Sequence, residues 1–482
     1  MRVNLTRLGS ITEVASATRT AGIDLAAEVE RRTAVLGLRA IGRGNHAIIV
    51  HGGTASFFAD LLAVWQAGAC AVCVDPRLTA GELATIVDFV QPAAVLAGDA
   101  DVALDRPAPV LRLANERATT GHAQPAHGDL DDAALILFTS GTTGDPKGVV
   151  HSFRSLLARI ALNTQAIGVP TLAKTLCVLP TYFGHGLIGN CLTPLLTGAH
   201  LLLWPGVGVK TAGSLASVIE EHDVTFMSSV PSFWKLALKL GRAPRAQHLR
   251  QVNIGSAPLS AELWRAVMAW AGTDNVVNAY GITETANWAA SASARDFAPD
   301  DGLVGKVWGG SAALLGADGR MQGEDSGEIL LQTPSLMSGY HRRPDLTATV
   351  LREGWFHTGD TGTIDGDGVI RLIGRRKHEI NRAGQKVHPE EIDALLERHP
   401  DVAEACTFGV PDAVSGELVA AAVCLRDGSA LGEAELRRWC LERVRRELAP
   451  ERWFFLANLP KTGRGKVDRR AVIAACTGAG AP

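Results

Sequence analysis

The densest group of chemistry-bearing residues is the run Thr139-Ser140-Gly141-Thr142-Thr143-Gly144-Asp145-Pro146-Lys147-Gly148, which follows the apolar stretch Leu135-Ile136-Leu137-Phe138. Four hydroxyls, three glycines and one lysine fall within ten residues. Glycine lets backbone N–H groups turn toward an anion, hydroxyls add donors, and the lysine adds charge. That is the composition of a polyphosphate cradle. It is not a Walker loop, because Gly-x-x-x-x-Gly-Lys-Ser/Thr cannot be threaded through it. An ordinary Ser/Thr/Gly turn would not need the Pro-Lys-Gly ending.

The run resembles the signature loop of the adenylate-forming superfamily, which holds acyl- and aryl-CoA ligases, luciferases and peptide-synthetase adenylation domains. Further segments resemble that family's motifs in the same order. Asn278-Ala279-Tyr280-Gly281-Ile282-Thr283-Glu284 is similar to its adenine- and magnesium-binding segment, and Trp355-Phe356-His357-Thr358-Gly359-Asp360 to its ribose-binding strand. Gly374-Arg375-Arg376-Lys377 resembles the interdomain hinge, and Leu459-Pro460-Lys461-Thr462-Gly463-Arg464-Gly465-Lys466 the C-terminal lysine loop. The resemblance runs over roughly residues 40 to 470.

It implies an AMP-forming ligase, most like an acyl-CoA ligase, that uses ATP, Mg²⁺ and CoA or a phosphopantetheine arm. An acid oxygen must attack the α-phosphorus while pyrophosphate leaves, so two anions approach each other and the site needs cations and donors. The resemblance gives the β- and γ-phosphates to Thr139, Ser140, Thr142, Thr143 and Lys147, with Gly141 and Gly144 shaping the loop. Tyr280 and Gly255-Ser256-Ala257 would flank the adenine, with Asn278 and Gly281 in the same segment. Thr283 would meet the α-phosphate, Glu284 the metal, and Asp360 with Arg375 the ribose. Lys466 would be the catalytic cation bridging carboxylate and α-phosphate, with Lys461 the neighbouring lysine that is not used. Lys377 would be the hinge about which a small domain moves between two poses, and Gly384 would pass near the thiol's tunnel.

The acyl pocket resembles less. Phe183 falls where relatives gate the carboxylate, and His185 follows it, either as a substrate contact or as a satisfied buried histidine. Ser229, Ile282 and Trp288, with Ser228, Val230 and Phe233, complete a largely apolar wall that suits an aromatic or medium-length aliphatic acid. Amino-acid-activating relatives carry an aspartate here and this chain does not, which disfavours an α-amino acid. CoA is the expected acceptor; a carrier-protein phosphopantetheine or an amine is the alternative. Where many relatives read Ile-Lys after the hinge, this chain reads Ile380-Asn381, which removes one cation. A nucleotide sensor without catalysis is disfavoured, since Lys147, Glu284, Asp360, Arg375 and Lys466 are all in place.

These residues need elements to hold them. Strand-like runs alternate with helix-like ones, predicting an α/β fold: strands at His46–Val50, Ala71–Val74, Ala94–Leu96, Leu135–Phe138, Thr175–Leu179, Leu201–Trp204, Val224–Met227 and Val252–Gly255. Helices are expected over Ser56–Ala69 and Leu83–Val90, and a loop over Pro107–Asp131. Little sequence precedes the His46 strand, so the family's first elements are expected to be trimmed. The texture changes near Gly374, giving a large N-terminal ATP- and acyl-binding domain of layered α/β sheets, 1–376, and a small mobile α+β C-terminal domain, 377–482. In the latter a helix is expected from Glu433 to about Leu448, with Leu436, Trp439, Cys440, Val444 and Leu448 on one face and five arginines on the other.

Composition excludes other classes. Of 482 residues, 47 are Lys or Arg and 50 are Asp or Glu, with no basic patch, so a nucleic-acid partner is not expected. No apolar run reaches the roughly 18 residues of a membrane span, and no leader is visible at the start. The eight cysteines are scattered; Cys70-x-x-Cys73 has no second ligand pair nearby, so no zinc site is expected and the thiols read as buried structural residues. The expected compartment is the cytoplasm, with oligomeric state open. Fifty-one glycines exceed the average of about 7%, as a chain with backbone close to ligands would.

Overall fold

The computed structural model describes residues 4–104, 106–116, 128–139, 146–316, 319, 321–322, 326–375, 378–382, 385–412, 416–444, 446, 448–463 and 465–478. Helix α1 (Gly22–Leu38) precedes strand β1 (His46–Ile49), α2 (Ala55–Gln66), β2 (Cys70–Cys73), α3 (Ala80–Val90), β3 (Ala94–Leu96) and the hairpin β4 (Ala133–Thr139)–β5 (Lys147–Ser152). β2 and β3 flank β1, all parallel, and β4 adds parallel to β2. These strands are short apolar runs buried on both faces, as parallel strands covered by helices must be. Helix α2 is buried nearly all round and starts where the Thr54 side chain accepts from the Phe57 N–H at 3.2 Å. Helix α3 opens with a capping box between Thr79 and Glu82.

The larger sheet follows helix α4 (Phe153–Ile167). Its parallel half contains β6 (Lys174–Cys177), β7 (His200–Leu203), β8 (Phe226–Ser229), β9 (Gln251–Gly255) and β10 (Val276–Ile282), with a π-helix at His185–Leu192 and helix α5 (Pro231–Leu240) in the connections. From β6 the chain lays β7 on one side and later β8 on the other. The loops leaving β6 and β8 therefore diverge and open a crevice at the carboxyl ends of the strands, where open α/β sheets bind ligands. Beyond β10 the sheet turns antiparallel through β11 (Asn287–Ser293) and on to β12 (Trp355–Ile364) and β13 (Ile370–Arg375).

A third sheet follows. It contains the short strands Ile380–Arg382 and Gln385–Val387, then, after helix α6 (Pro389–Glu397), β14 (Val402–Asp412) and β15 (Gly416–Leu425), with Arg452–Phe455 parallel to β15. Helix α6 and helix α7 (Glu433–Leu441) cover a core that includes Ile380, Ile392, Leu396, Leu436 and Cys440. This unit meets the larger one through Lys235–Glu397 at 3.1 Å, Lys239–Asp427 at 3.1 Å and Arg398–Asp301.

Three expectations change. The region before β1 is not bare: Ile11–Glu13 adds parallel to β7 and α1 packs on α2. A three-residue strand carries too little pattern to be read in advance. β8 begins two residues later than expected, because the Val224 N–H closes the preceding helix on the Ile219 carbonyl (3.0 Å), and the shift brings Ser228 and Ser229 into the strand. Helix α7 ends at Leu441, not Leu448. There the Arg443 N–H bonds back to the Cys440 carbonyl three residues away at 2.9 Å, the tightened last turn that closes a helix. Val444 and Leu448 still pack against the same core, and the Arg443 guanidinium lies 3.4 Å above the Trp439 ring. All cysteines except Cys476 are buried and all are unpaired.

Candidate active site

At the nucleoside end, Asp360 and Arg375 are cross-strand partners on β12 and β13. Arg375 Nε donates to Asp360 Oδ1 at 2.7 Å, and the Tyr280 hydroxyl, from β10, donates to Oδ2 at 2.6 Å. The carboxylate is thus oriented from both sides. It raises the Arg375 pKa, and burial followed by the Asp360 charge pushes the Tyr280 phenol well up. The Asn278 amide donates to the Leu303 carbonyl at 2.7 Å and ties β10 to the strand Leu303–Val307. Gly255 and Gly281 are required by close backbone. A Cβ on the first would lie 2.5 Å from the Ala279 carbonyl oxygen and on the second 2.1 Å from that of Asn287. Ala257 follows Ser256, whose φ of 69° holds a non-glycine residue in the left-handed region.

At the phosphate end, Thr139 and Lys147 face each other where the β4–β5 hairpin opens. Ser140, Gly141, Thr142, Thr143 and Gly144, between them, lie outside the described residues. Lys147 Nζ is 3.4 Å from Glu284 Oε1 and 4.1 Å from the centroid of the Tyr340 ring, and the Tyr340 hydroxyl donates to the same carboxylate oxygen at 2.7 Å. Burial and the Glu284 charge raise the Tyr340 pKa, so the phenol keeps its proton. Glu284 sits on the short turn Thr283–Thr285 after β10. His151 Nε2 donates to the Thr283 carbonyl at 2.8 Å, and burial holds this histidine neutral with its pKa down at about 4. No group of three or more His, Cys, Asp or Glu poised for a metal occurs among the described residues. One carboxylate suits Mg²⁺, which keeps waters and takes most of its other ligands from phosphates.

At the crevice, His185 opens the π-helix after β6 and is 4% exposed. Its Nε2 shares a hydrogen bond with the Ser228 hydroxyl at 2.5 Å and its Nδ1 one with Ser256 at 2.9 Å. Both ring nitrogens are therefore occupied, and the histidine offers its ring rather than a free nitrogen. Burial first, then the Lys466 charge, lowers its pKa to about 3. The Trp288 and Phe183 rings stand edge-on to it at 5.3 and 6.4 Å. Ser229 Oγ is buried without a partner, and Ile282 packs beside Tyr340.

Lys466 arrives from the other unit. It lies in the turn closed by the Lys461–Val467 bridge, where the Thr462 N–H donates to the Lys466 carbonyl at 2.8 Å. Gly465, with φ of 76°, is required there, and a Cβ on it would lie 2.9 Å from Ser232 Oγ at the start of α5. Lys461 is bound to Glu404 at 2.7 Å, consistent with its neighbour being the lysine at the crevice. Lys377 and Gly384 lie outside the described residues, as does the side chain of Asn381.

Tyr340, His151 and Arg159 were not singled out beforehand as site residues, and Ser228 was named only as part of the apolar wall, not as a partner of His185. One signal was available for Tyr340: the chain has only three tyrosines. Tyr280 and Tyr340 each orient an acid of the site, and Tyr182 accepts from Arg77 at 2.8 Å beside Gly463. His151 and Arg159 carry no such signal, because only the packing of β5 and α4 brings them under the Thr283–Thr285 turn.

The profile of the AMP-binding enzyme family matches residues 14–341, and that of the AMP-binding enzyme C-terminal domain matches residues 391–466. An oxalate–CoA ligase from Arabidopsis thaliana is 34% identical over 369 residues, covering 75% of this chain and 71% of that one. A feruloyl-CoA synthase from Amycolatopsis is 31% identical over 483 residues, covering 94% of each. ATP-bound MatB from Rhodopseudomonas palustris superposes with a TM-score of 0.87 at 26% identity, over 98% of both chains.

Proposed function

The chain belongs to the AMP-binding enzyme family and is an ATP-dependent, AMP-forming acid–thiol ligase, and from that premise we propose that it converts an aromatic or medium-length aliphatic carboxylic acid to its acyl-adenylate and then to the acyl-CoA. The observation that carries the reading is the meeting of the Lys466 turn with the His185 crevice, beside Glu284 and the Asp360–Arg375 pair. Asp360, fixed by Tyr280 and Arg375, accepts from the ribose hydroxyls. Lys147 draws the phosphates toward Glu284, which would hold Mg²⁺; that ion, when bound, supplies neutralising charge. The acid's oxygen forms a bond to the α-phosphorus as the bond to pyrophosphate breaks, and the Lys466 ammonium lies against the charge that develops. A thiolate then forms the thioester and AMP leaves.

We place the division between an ATP- and acyl-binding body, 1–376, and a mobile one, 377–482, at Lys377. CoA is favoured as acceptor by the names of both relatives, one called for oxalate and one for ferulate, which leave the acid itself open. Arg382, Arg437 and Arg446 line a cavity of about 300 Å³ that suits phosphates of CoA or an acidic carrier protein. Buried, unpaired thiols support a reducing, cytoplasmic compartment. The test is pyrophosphate release with ATP across a carboxylate panel, followed by mass analysis with CoA, carrier protein and amines offered together. Pyrophosphate with acyl-CoA as the dominant product is expected; an amide or acyl-carrier product instead would overturn the choice of acceptor.

A further inference from the structure

A buried cation lies beside the site without an anion. Arg159, on α4, is 0% exposed. Its Nε donates to the Thr285 carbonyl at 3.3 Å and to the Ser335 hydroxyl at 3.1 Å; its Nη2 donates to Ser335 at 2.5 Å and Thr333 at 3.2 Å. All of these acceptors are neutral. Nη1 has no partner, and no carboxylate pairs with the guanidinium among the described residues. A charge buried without a counter-charge costs several kcal/mol, and burial has drawn the Arg159 pKa down to about 9.

The neighbouring wall holds four more buried polar atoms without partners among the described residues: Asn163 Oδ1, Asn190 Oδ1, Asn287 Nδ2 and Trp288 Nε1. They come from α4, the π-helix and β11, and hydrogen bonds hold each of these elements to a neighbour. Asn163 donates to Thr193 at 3.2 Å, Asn190 donates to the Ser228 carbonyl at 2.9 Å, and Thr285 donates to the Asn287 carbonyl at 2.7 Å. A Cβ on Gly189 would lie 2.2 Å from Asn287 Nδ2 and 2.9 Å from the Trp288 ring, so the π-helix presses on this wall directly. Ala286 and Asn287 take φ of 59° and 119° there, a strained turn of the kind kept for ligands. Buried polar atoms are normally paired, so a group of orphans calls for a polar occupant.

Resting on the reading of the chain as a carboxylate-activating enzyme, we propose that Arg159 receives a second anionic group of the substrate, so that the preferred acids carry a carboxylate or sulfonate remote from the carboxylate that is activated. With Nε and Nη2 already donating, Nη1 is the nitrogen left to donate, and an anionic oxygen accepts there in a charge-assisted hydrogen bond. An acid lacking the second group leaves that cation unpaired, and buried groups left unpaired are what give a site strong discrimination.

The experiment measures kcat/KM for pyrophosphate release with matched pairs: octanedioate against octanoate, terephthalate against benzoate, and butanedioate against butanoate. The wild type is expected to favour the dianion in at least one pair, by about 100-fold. Arg159→Met is expected to erase most of that ratio, and Arg159→Lys, which keeps the charge, to restore part of it. A wild type that favours the monoanion in every pair overturns the inference without any variant being needed. Variants that lower both members of a pair equally overturn it too, leaving Arg159 only to hold the Thr285 turn. Pyrophosphate from no acid at all is a different failure, that of the adenylating reading itself.

Discussion

At the scale of single residues, two groups carry predictions. On the proposed reading Lys466 is the cation against which charge develops between two approaching anions. Lys466→Ala is expected to lower pyrophosphate release by roughly 10²–10³-fold while ATP still binds, measured by single-turnover kinetics beside nucleotide titration. Normal adenylation by this variant would remove the assignment. His185 is held neutral by burial and then by the Lys466 charge, with a folded pKa of about 3 against an unfolded value of about 6.5. Between those values the unfolded chain binds a proton that the folded chain refuses, so stability rises with pH across that window and is lost as acid is added. The slope is at most about 1.4 kcal/mol per pH unit for this one proton. His151 adds in the same direction. His185→Gln is expected to flatten the dependence of the unfolding midpoint on pH between 4.5 and 6.5; an unchanged slope would show that His185 titrates normally.

At the scale of elements, the turn between β10 and β11 holds Glu284, Thr285 and the wall behind His185 in one short span. Its geometry rests on Gly281, where the Asn287 carbonyl leaves no room for a side chain. Gly281→Ala forces the two strands apart and is expected to destabilise the fold by on the order of 1–3 kcal/mol. It should also weaken ATP binding, because Tyr280 and Glu284 move with it. Urea unfolding and nucleotide titration on the same preparation check both; a variant with wild-type stability would show that the strands accommodate the methyl group. The strands themselves were largely legible, since β1, β3, β4 and β9 contain the short apolar runs expected, though which strand pairs with which was not. The end of α7 was not, because the apolar face continues past Leu441 while the backbone does not, and periodicity reads only the face.

At the scale of the molecule, the lysine turn belongs to the unit built on the third sheet and the crevice to the larger one, and the proposed division between them is at Lys377. The pose described here brings Lys466 to the crevice and Gly463 to Arg77. On the proposed reading a thiol needs that space in the second half-reaction, which a turn of the smaller unit would clear. Lys377→Pro, which stiffens the joint, is expected to slow thioester formation at least tenfold more than adenylation, read as acyl-CoA against pyrophosphate in rapid-quench experiments. Equal effects on both steps would count against a hinge at this residue.

By itself the sequence determined the family, through motifs made of contiguous residues: a hydroxyl- and glycine-rich loop, a Tyr-Gly-x-Thr-Glu segment, a Thr-Gly-Asp strand and a lysine after a Gly-Arg-Gly run. Such motifs are legible because each is one short stretch of backbone with its donors in fixed order. What only the tertiary structure decided is which distant groups finish the site. Tyr340 meets Glu284 from 56 residues away, and Ser228 and Ser256 close on His185 from 43 and 71. The buried guanidinium of Arg159 reaches a turn 126 residues on. Those pairings follow from strand order and helix packing, and no local pattern of residue types encodes them.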